Sequence, residues 1–448
     1  MRTCEPNGSQ PVTALAPWVP GARMNRMNAA HYLRENWRRA SLVGAAILLS
    51  AATLFHLYAI NLLMPRAYSD LTPRVVGTRD ALHGISPYSI RALHDIQRTI
   101  YGHVLKPGSR SDPQYFSYPA LIVPLLVPAV NLSRGMVSMA FLAFMLPALA
   151  VNFWWWTQRL ITGLTPLTTS CVVALCISAW PTVWGLRVEQ PTDVAFVLMT
   201  GAVAAVARGW DGLAGVFFAV AVVKPQIALP LLLWLSVWCA RRRRFSIFPG
   251  FAVSLGSLWL AADMIVPHWF SSWIASLSAY SSINHPLGEM LLGKWVGLGA
   301  TSILAYFCVR RLWTLLDAEA ASADFLQGVG LALAATILIV PMQVLFLYDQ
   351  ILLVPAVLFA VNGELRAGAT SVSRRIFLGG VALGVVFLLI SSTGEIWKPM
   401  GATWYALPFL MFPLPVAAIM AMLLDNGDAA LRNAPVSSRG RLERKVLL

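Results

Sequence analysis

The feature that most constrains this chain is a succession of apolar runs, each close to the length of a membrane crossing and separated by short polar breaks. They fall at about 41–64, 118–132, 136–156, 167–186, 192–207, 212–223, 226–240, 246–267, 296–309, 325–347, 351–361, 376–393 and 403–424 of the 448 residues. A helix satisfies its own backbone hydrogen bonds where water is absent, and about 20 helical residues span the hydrocarbon. The runs near 212, 296 and 351 are short and must tilt or borrow flanking residues. Charged residues make up 12% of the chain and AVILMFWYC 57%, whereas soluble chains carry roughly 25% charge. Too little polar surface remains to coat a water-soluble core, so the expected fold class is an all-α polytopic membrane protein.

The formal charge of +14 raises nucleic acid as a partner, but the basic clusters stand in the wrong places for it. Arg241 to Arg244, Arg310 with Arg311, and Arg374 with Arg375 each adjoin an apolar run, where orientation signals belong. If every run crossed and the tail before Ser41 were cytoplasmic, the four-Arg cluster would land outside. The run 118–132, YPALIVPLLVPAVNL, carries Pro119, Pro124 and Pro128, a pattern expected of a re-entrant or broken element. Removing it leaves about 12 transmembrane helices and places Arg159, Arg208, Arg241 to Arg244, Arg310, Arg311, Arg366, Arg374 and Arg375 inside. The expected organisation is a basic cytoplasmic tail at 1–40, a membrane core at 41–360 containing a long external loop at 65–117, further transmembrane helices at 361–424, and a basic cytoplasmic tail at 425–448. Residues 1–40 lack the apolar stretch of a cleavable signal. The five Cys form no CxxC pair and suggest no disulfide framework.

The external segments carry polar residues at unusual positions. Asp70 follows the first run by about six residues, and a carboxylate at the outer lipid boundary can act as a general base toward a reactant delivered by the bilayer. Equally, Ser69, Asp70 and Thr72 before Pro73 could cap a helix. Lys224 lies between two apolar runs, where a Lys costs about 2.5–3.5 kcal/mol if it reaches the bilayer centre; it serves either a bound anion or a snorkelling anchor. Arg74 and Arg187 are further candidates to hold an anion, since a guanidinium binds carboxylate or phosphate bidentately, or they simply anchor their loops. Tyr348 and Asp349 interrupt the apolar stretch 325–361, where Asp349 could accept hydroxyls of a bound molecule, orient Lys224 or merely make a turn. Glu189 and Asp193 could pair, although helix capping by Thr192 or Asp193 is the simpler expectation. His83, His285 and Lys294 lie in outer segments, roughly 268–295 for the last two, where they could meet a bound reactant, although solvated or capping loop residues are the simpler expectation. His56 reads as a core histidine and Trp154 to Trp156 as an interface belt. No HExxH, Walker A, GxSxG or Rossmann fingerprint is present, so neither a metal nor a cofactor is expected.

The order of the external motifs adds a resemblance. Asp70, then Gly84-Ile85-Ser86-Pro87-Tyr88 closing a helix, then Tyr118-Pro119 opening an apolar run, resemble glycosyltransferase family 87 of the C-type integral membrane glycosyltransferases. Glu189-Gln190 is similar to that family's Gly-Gln, with Glu where Gly is usual, and Lys224-Pro225-Gln226 to its Lys-Pro-Gln. The likeness covers roughly residues 41 to 360. It implies a GT-C fold in the plasma (inner) membrane with an extracytoplasmic site. The activity implied is inverting transfer of a hexose, mannose favoured, or a pentose from a polyprenyl-phosphate sugar to a glycolipid or glycan acceptor. Asp70 would then be the base. Lys224, Gln226, Arg74, Tyr88, Tyr118, Gln190, Arg187, Tyr348 and Asp349 would bind substrate, with no metal, no cofactor and no nucleic acid. The alternative expectation is a transporter or flippase of lipid-linked saccharides, whose buried charges line a path.

Overall fold

The chain divides into two compact units, Met1–Ala45 and Ala46–Leu448. The computed structural model describes residues 69–367, apart from 107–108, 110–112, 162, 282–288, 290–291 and 340–346, with the single positions 40, 43, 44, 47, 419, 422 and 423. The runs expected at 41–64, 376–393 and 403–424 fall almost wholly outside the described residues, as do His56, His285, Arg374 and Arg375.

Every regular element among the described residues is helical. The loop expected at 65–117 carries α1 (Thr72–Leu82) and α2 (Ile90–Tyr101). Ser89 caps α2 by accepting the Ala92 N–H, and Gly102 ends it at φ 77°, a left-handed conformation that glycine adopts without strain. The proline-rich run is indeed broken: a 3₁₀ turn at Ala120–Ile122, the short helix α3 (Val123–Leu126) and a second 3₁₀ turn at Val127–Ala129. Pro119 stands at the cap of the first turn, and Pro124 and Pro128 fall near the starts of the next two segments, so the ten residues Ala120–Ala129 stay helical but change between 3₁₀ and α form.

The longest helix among the described residues is α4 (Arg134–Leu160), of 27 residues and capped by Ser133, long enough at about 1.5 Å per residue to exceed a bilayer core. It is followed by α5 (Pro166–Ser178), α6 (Trp180–Arg187), α7 (Pro191–Ala207), α8 (Asp211–Ala221), α9 (Pro225–Arg241) and α10 (Ile247–Ile265). Then come α11 (Trp269–Ser281), α12 (Lys294–Thr314), α13 (Ala323–Ile339), a 3₁₀ turn at Leu347–Leu353 and α14 (Val354–Ala367). Among the described residues α4 and α10 are each long and apolar enough to cross a membrane, and the pair α5 and α6, bent by 58°, makes a third if taken as one span. The segment 268–295, which lies between the apolar runs at 246–267 and 296–309, contains helix α11. Its alternation of Ser with Trp, Phe and Ile lowers the mean hydropathy and hides the helix from a search for apolar runs.

Packing sets the site's position. Helices α8 and α10 cross closely because Gly215 and Gly250 bring backbone onto backbone, where a Cβ on either would collide, the one at Gly250 with the backbone of Gly212. One core gathers α4, α7, α9 and α13 around Phe153, Trp156, Phe196, Trp238 and Phe325. A second core holds α1 and α2 against the broken element and the ends of α8 and α10 through Val76, Ile96, Phe116, Leu121, Val223 and Val266. In α1, Gly77 lets the Phe116 ring and Pro87 lie directly on the helix. Trp154, Trp155 and Trp156 do not form one belt: Trp154 is exposed while Trp156 is fully buried, since successive helical residues point about 100° apart.

Candidate functional site

Asp70 lies just ahead of α1, and the chain there is tied down from several directions. Ser69 is buried, and its Oγ accepts the backbone N–H groups of Leu71 and Thr72 at 3.2 Å each. The hydroxyl of Ser69 therefore does the local work that the sequence also offered to Asp70, leaving that carboxylate to face elsewhere. The Asp70 N–H donates to the Val188 carbonyl at 2.7 Å, and Gln190 Nε2 donates to Asp70 Oδ2. Arg74, one turn along α1, donates to the Asp70 backbone carbonyl and stands 3.9 Å from Asp70 Oδ1. The Asp70 side chain retains 29% exposure whereas Arg74 retains 8%, so the acid reaches solvent beside a nearly buried cation.

The tyrosines expected at the site form its wall. Tyr118 donates to Gln190 Oε1 at 2.9 Å, and the Arg74 guanidinium lies 4.2 Å from the centre of its ring. Tyr88 donates to the Tyr118 carbonyl at 2.8 Å, and burial pushes its phenol well above the usual range, so it remains a neutral donor. Gln190 thus bridges the acid and the tyrosine with both ends of its amide. Glu189 before it sits at φ 54°, a left-handed conformation that costs a non-glycine residue about 1–3 kcal/mol. Its carboxylate accepts the hydroxyls of Ser69 and Ser138. That backbone geometry is the physical reason Gly suits this position.

A second cluster adjoins the first. Lys224 occupies the turn between α8 and α9 and is 5% exposed. Its ammonium donates to Thr192 Oγ1 and, at 3.1 Å, to Asp349 Oδ1; Thr192 donates to the same carboxylate oxygen at 2.6 Å. The Tyr348 ring centre is 5.1 Å from the ammonium, and Asp70 acts on Lys224 electrostatically. Thr192 and Asp193 do not cap α7 as the sequence suggested: Gln190 holds the cap position with no side-chain bond. Thr192 is drawn instead to Lys224 and Asp349. Asp193 is fully buried, neither carboxylate oxygen has a hydrogen-bond partner, and Gly185 lies directly against it.

The other expected residues differ in exposure. Gln226 is exposed on the first turn of α9. Arg187 is half-buried with its guanidinium 4.4 Å from the Trp184 ring centre. His83 is exposed and lies 2.8 Å from the Arg79 carbonyl, and Lys294 is exposed over Trp295. Ser69, Ser138 and Thr192 were not singled out from the sequence as site residues. Ser138 is a lone hydroxyl in an apolar run, and only its contact with Glu189 makes it meaningful. Among the described residues no three His, Cys, Asp or Glu side chains group as metal ligands.

The opposite ends of the same helices carry the arginines. Arg241 makes a two-pronged pair with Asp317, and Arg244 another with Asp211 while also donating to the Val206 carbonyl. Helix α7 therefore runs from Gln190 at the candidate site to Arg208, and α9 from Lys224 to Arg241. No family model matches the chain, and no curated protein does so either.

Proposed function

We propose that this chain is a polytopic membrane glycosyltransferase that moves a sugar from a polyprenyl phosphate to a hydroxyl acceptor. The observation that carries this reading is the convergence of Asp70, Arg74, Tyr118, Gln190, Lys224 and Asp349, far apart in the sequence, at one end of an apolar helical bundle. An acid, two cations and hydroxyl donors are the groups that such a transfer needs. In the reaction the acceptor oxygen attacks the anomeric carbon from the face opposite the phosphate. The acceptor proton passes to the Asp70 carboxylate, the new glycosidic C–O bond forms, and the C–O bond to phosphate breaks. Polyprenyl phosphate departs as an anion and needs positive charge in place of a proton donor. Arg74 and Lys224 supply that charge, and the N-terminal ends of α7 and α9 add to it.

The family 87 likeness, a GT-C fold with about 12 crossings, and a site on the extracytoplasmic face of the plasma membrane belong to the same proposal. The arginines at the far ends of α7, α9 and α12 favour that orientation, because basic residues collect on the cytoplasmic side. Mannose is the first sugar to test. The buried and unpartnered Asp193 beside Lys224 and Asp349 favours a second reading, a flippase of lipid-linked saccharides.

The deciding experiment reconstitutes the purified protein in lipid with polyprenyl-phosphate mannose and a glycolipid acceptor. Release of polyprenyl phosphate that depends on acceptor supports the transferase. Movement of the headgroup between leaflets with every glycosidic bond intact supports the flippase.

A further inference from the structure

Three consecutive residues, Val188, Glu189 and Gln190, each hold a separate part of the segment that carries Asp70. The Val188 carbonyl receives the Asp70 N–H at 2.7 Å, the Glu189 carboxylate receives the Ser69 hydroxyl, and the Gln190 amide donates to the Asp70 carboxylate. Beyond that segment Gln190 reaches Tyr118 and Glu189 reaches α4. The second Glu189 oxygen accepts from Ser138 on α4, the 27-residue helix that anchors the bundle. The carboxylate is thus the one group of the strip bonded to both the Asp70 segment and α4, while held at a φ of 54° that glycine would adopt without strain. A left-handed glutamate with both oxygens bound and 6% exposure calls for a reason beyond a turn, since glycine would make the turn.

The geometry points to Glu189 as a positioning residue, a carboxylate clamp that fixes Asp70 relative to α4 by gripping the Ser69 hydroxyl on one oxygen and the Ser138 hydroxyl on the other. It touches no reacting atom. Ser69 in turn receives the N–H groups of Leu71 and Thr72, so the grip passes directly to the start of α1. Placement of a reacting group within a fraction of an ångström governs turnover far more than substrate affinity. This assignment of a role in turnover rests on the glycosyltransferase reading, whereas the clamp itself does not.

Hydrogen exchange on the full chain in lipid nanodiscs, read by mass spectrometry, tests the clamp without any substrate. In Glu189→Gly the backbone keeps its conformation and loses only the carboxylate. Exchange at Asp70, Leu71 and Thr72 should then rise about tenfold, the effect expected from losing a hydrogen bond to a charged acceptor, with α9 unchanged. Ser138→Ala should reproduce part of the rise without touching the left-handed residue, and Glu189→Gln, which keeps an acceptor, should restore most of the protection. If Glu189→Gly loosens the whole bundle, Ser138→Ala decides alone. Unchanged exchange at residues 70–72 in that variant overturns the clamp. With polyprenyl-phosphate mannose as donor, Glu189→Gly should lower kcat by up to about 100-fold at unchanged KM, and Glu189→Gln should recover it. A wild-type protein with no turnover defeats the transferase reading and leaves the exchange result to judge the clamp.

Discussion

The two ends of helices α7 and α9 use charge in opposite ways. At one end Lys224 and Asp349 are nearly sealed, 6% and 4% exposed at the side chain, and Thr192 is bonded to both. At the other end Arg241 and Asp317 form a two-pronged pair at 48% and 66% exposure. Geometry alone would rank the second pair as the stronger, since a guanidinium and a carboxylate match in shape. Environment reverses that ranking. Water and salt screen the exposed pair, whereas the buried pair has lost its hydration and depends on its partners. A protein that accepts the desolvation of a Lys in an apolar bundle has a use for it, and in the proposed transfer that use is to receive an anionic leaving group.

The largest effect should come from splitting the buried pair. Lys224→Met leaves Asp349 without its cation and should destabilise the fold by about 3–5 kcal/mol, read by thermal unfolding in detergent. Adding Asp349→Leu should recover most of that loss, because a well-packed apolar pair replaces an ion pair with little penalty. Binding of a polyprenyl-phosphate sugar should be lost in both variants. Recovery of donor binding in the double variant would remove Lys224 from the proposed phosphate site.

Next is Gln190→Leu, which frees Asp70 and Tyr118 of their shared partner and should cost about 1–3 kcal/mol in stability along with most of the turnover. A smaller, pH-dependent effect belongs to Asp80 on α1. Burial, then the nearby Asp95, raises its carboxyl above the ordinary range, so the fold prefers the protonated form. Its contribution is present below the unfolded value near pH 4 and is lost as pH rises through the raised folded value. Asp80→Asn should therefore stabilise the protein increasingly from about pH 4 upward, which a series of unfolding curves would reveal. The smallest effect is expected of Arg241→Ala. The Asp317 carboxyl is held below its usual range by hydrogen bonds from Arg241, a contribution lost only as acid brings the pH through that lowered value. Both groups are exposed, so no measurable shift in the unfolding midpoint is expected at neutral pH. A large shift there would erase the contrast between the two ends.

How much of this was legible in the sequence depended on whether the signal was local. Pro119, Pro124 and Pro128 announce a broken element because each acts on its own turn, and α4 is visible as a long apolar run with Ser133 ahead of it. Helix α11 was hidden by its serines. The site divides in the same way. Asp70 and Lys224 stand out as charges beside apolar runs, and Tyr88, Tyr118 and Gln190 through a motif order. The bond from Gln190 to Asp70 spans 120 positions and that from Lys224 to Asp349 spans 125. Such pairings are set by helix packing and leave no local trace. Thr192 illustrates the difficulty: at the start of a helix it reads as a cap, and only the fold reveals that it turns to Asp349. Gln226 sits in the same motif as Lys224 yet is exposed, since two steps along the start of a helix turn a side chain to nearly the opposite face.

The central claim is best tested by comparing the wild-type chain with Asp70→Asn in nanodiscs, measuring in one sample donor binding and acceptor-dependent release of polyprenyl phosphate. The account predicts that the amide variant binds donor as the wild type does while release falls by about 100- to 10,000-fold, the share a general base contributes. Release at the wild-type rate from Asp70→Asn would contradict it.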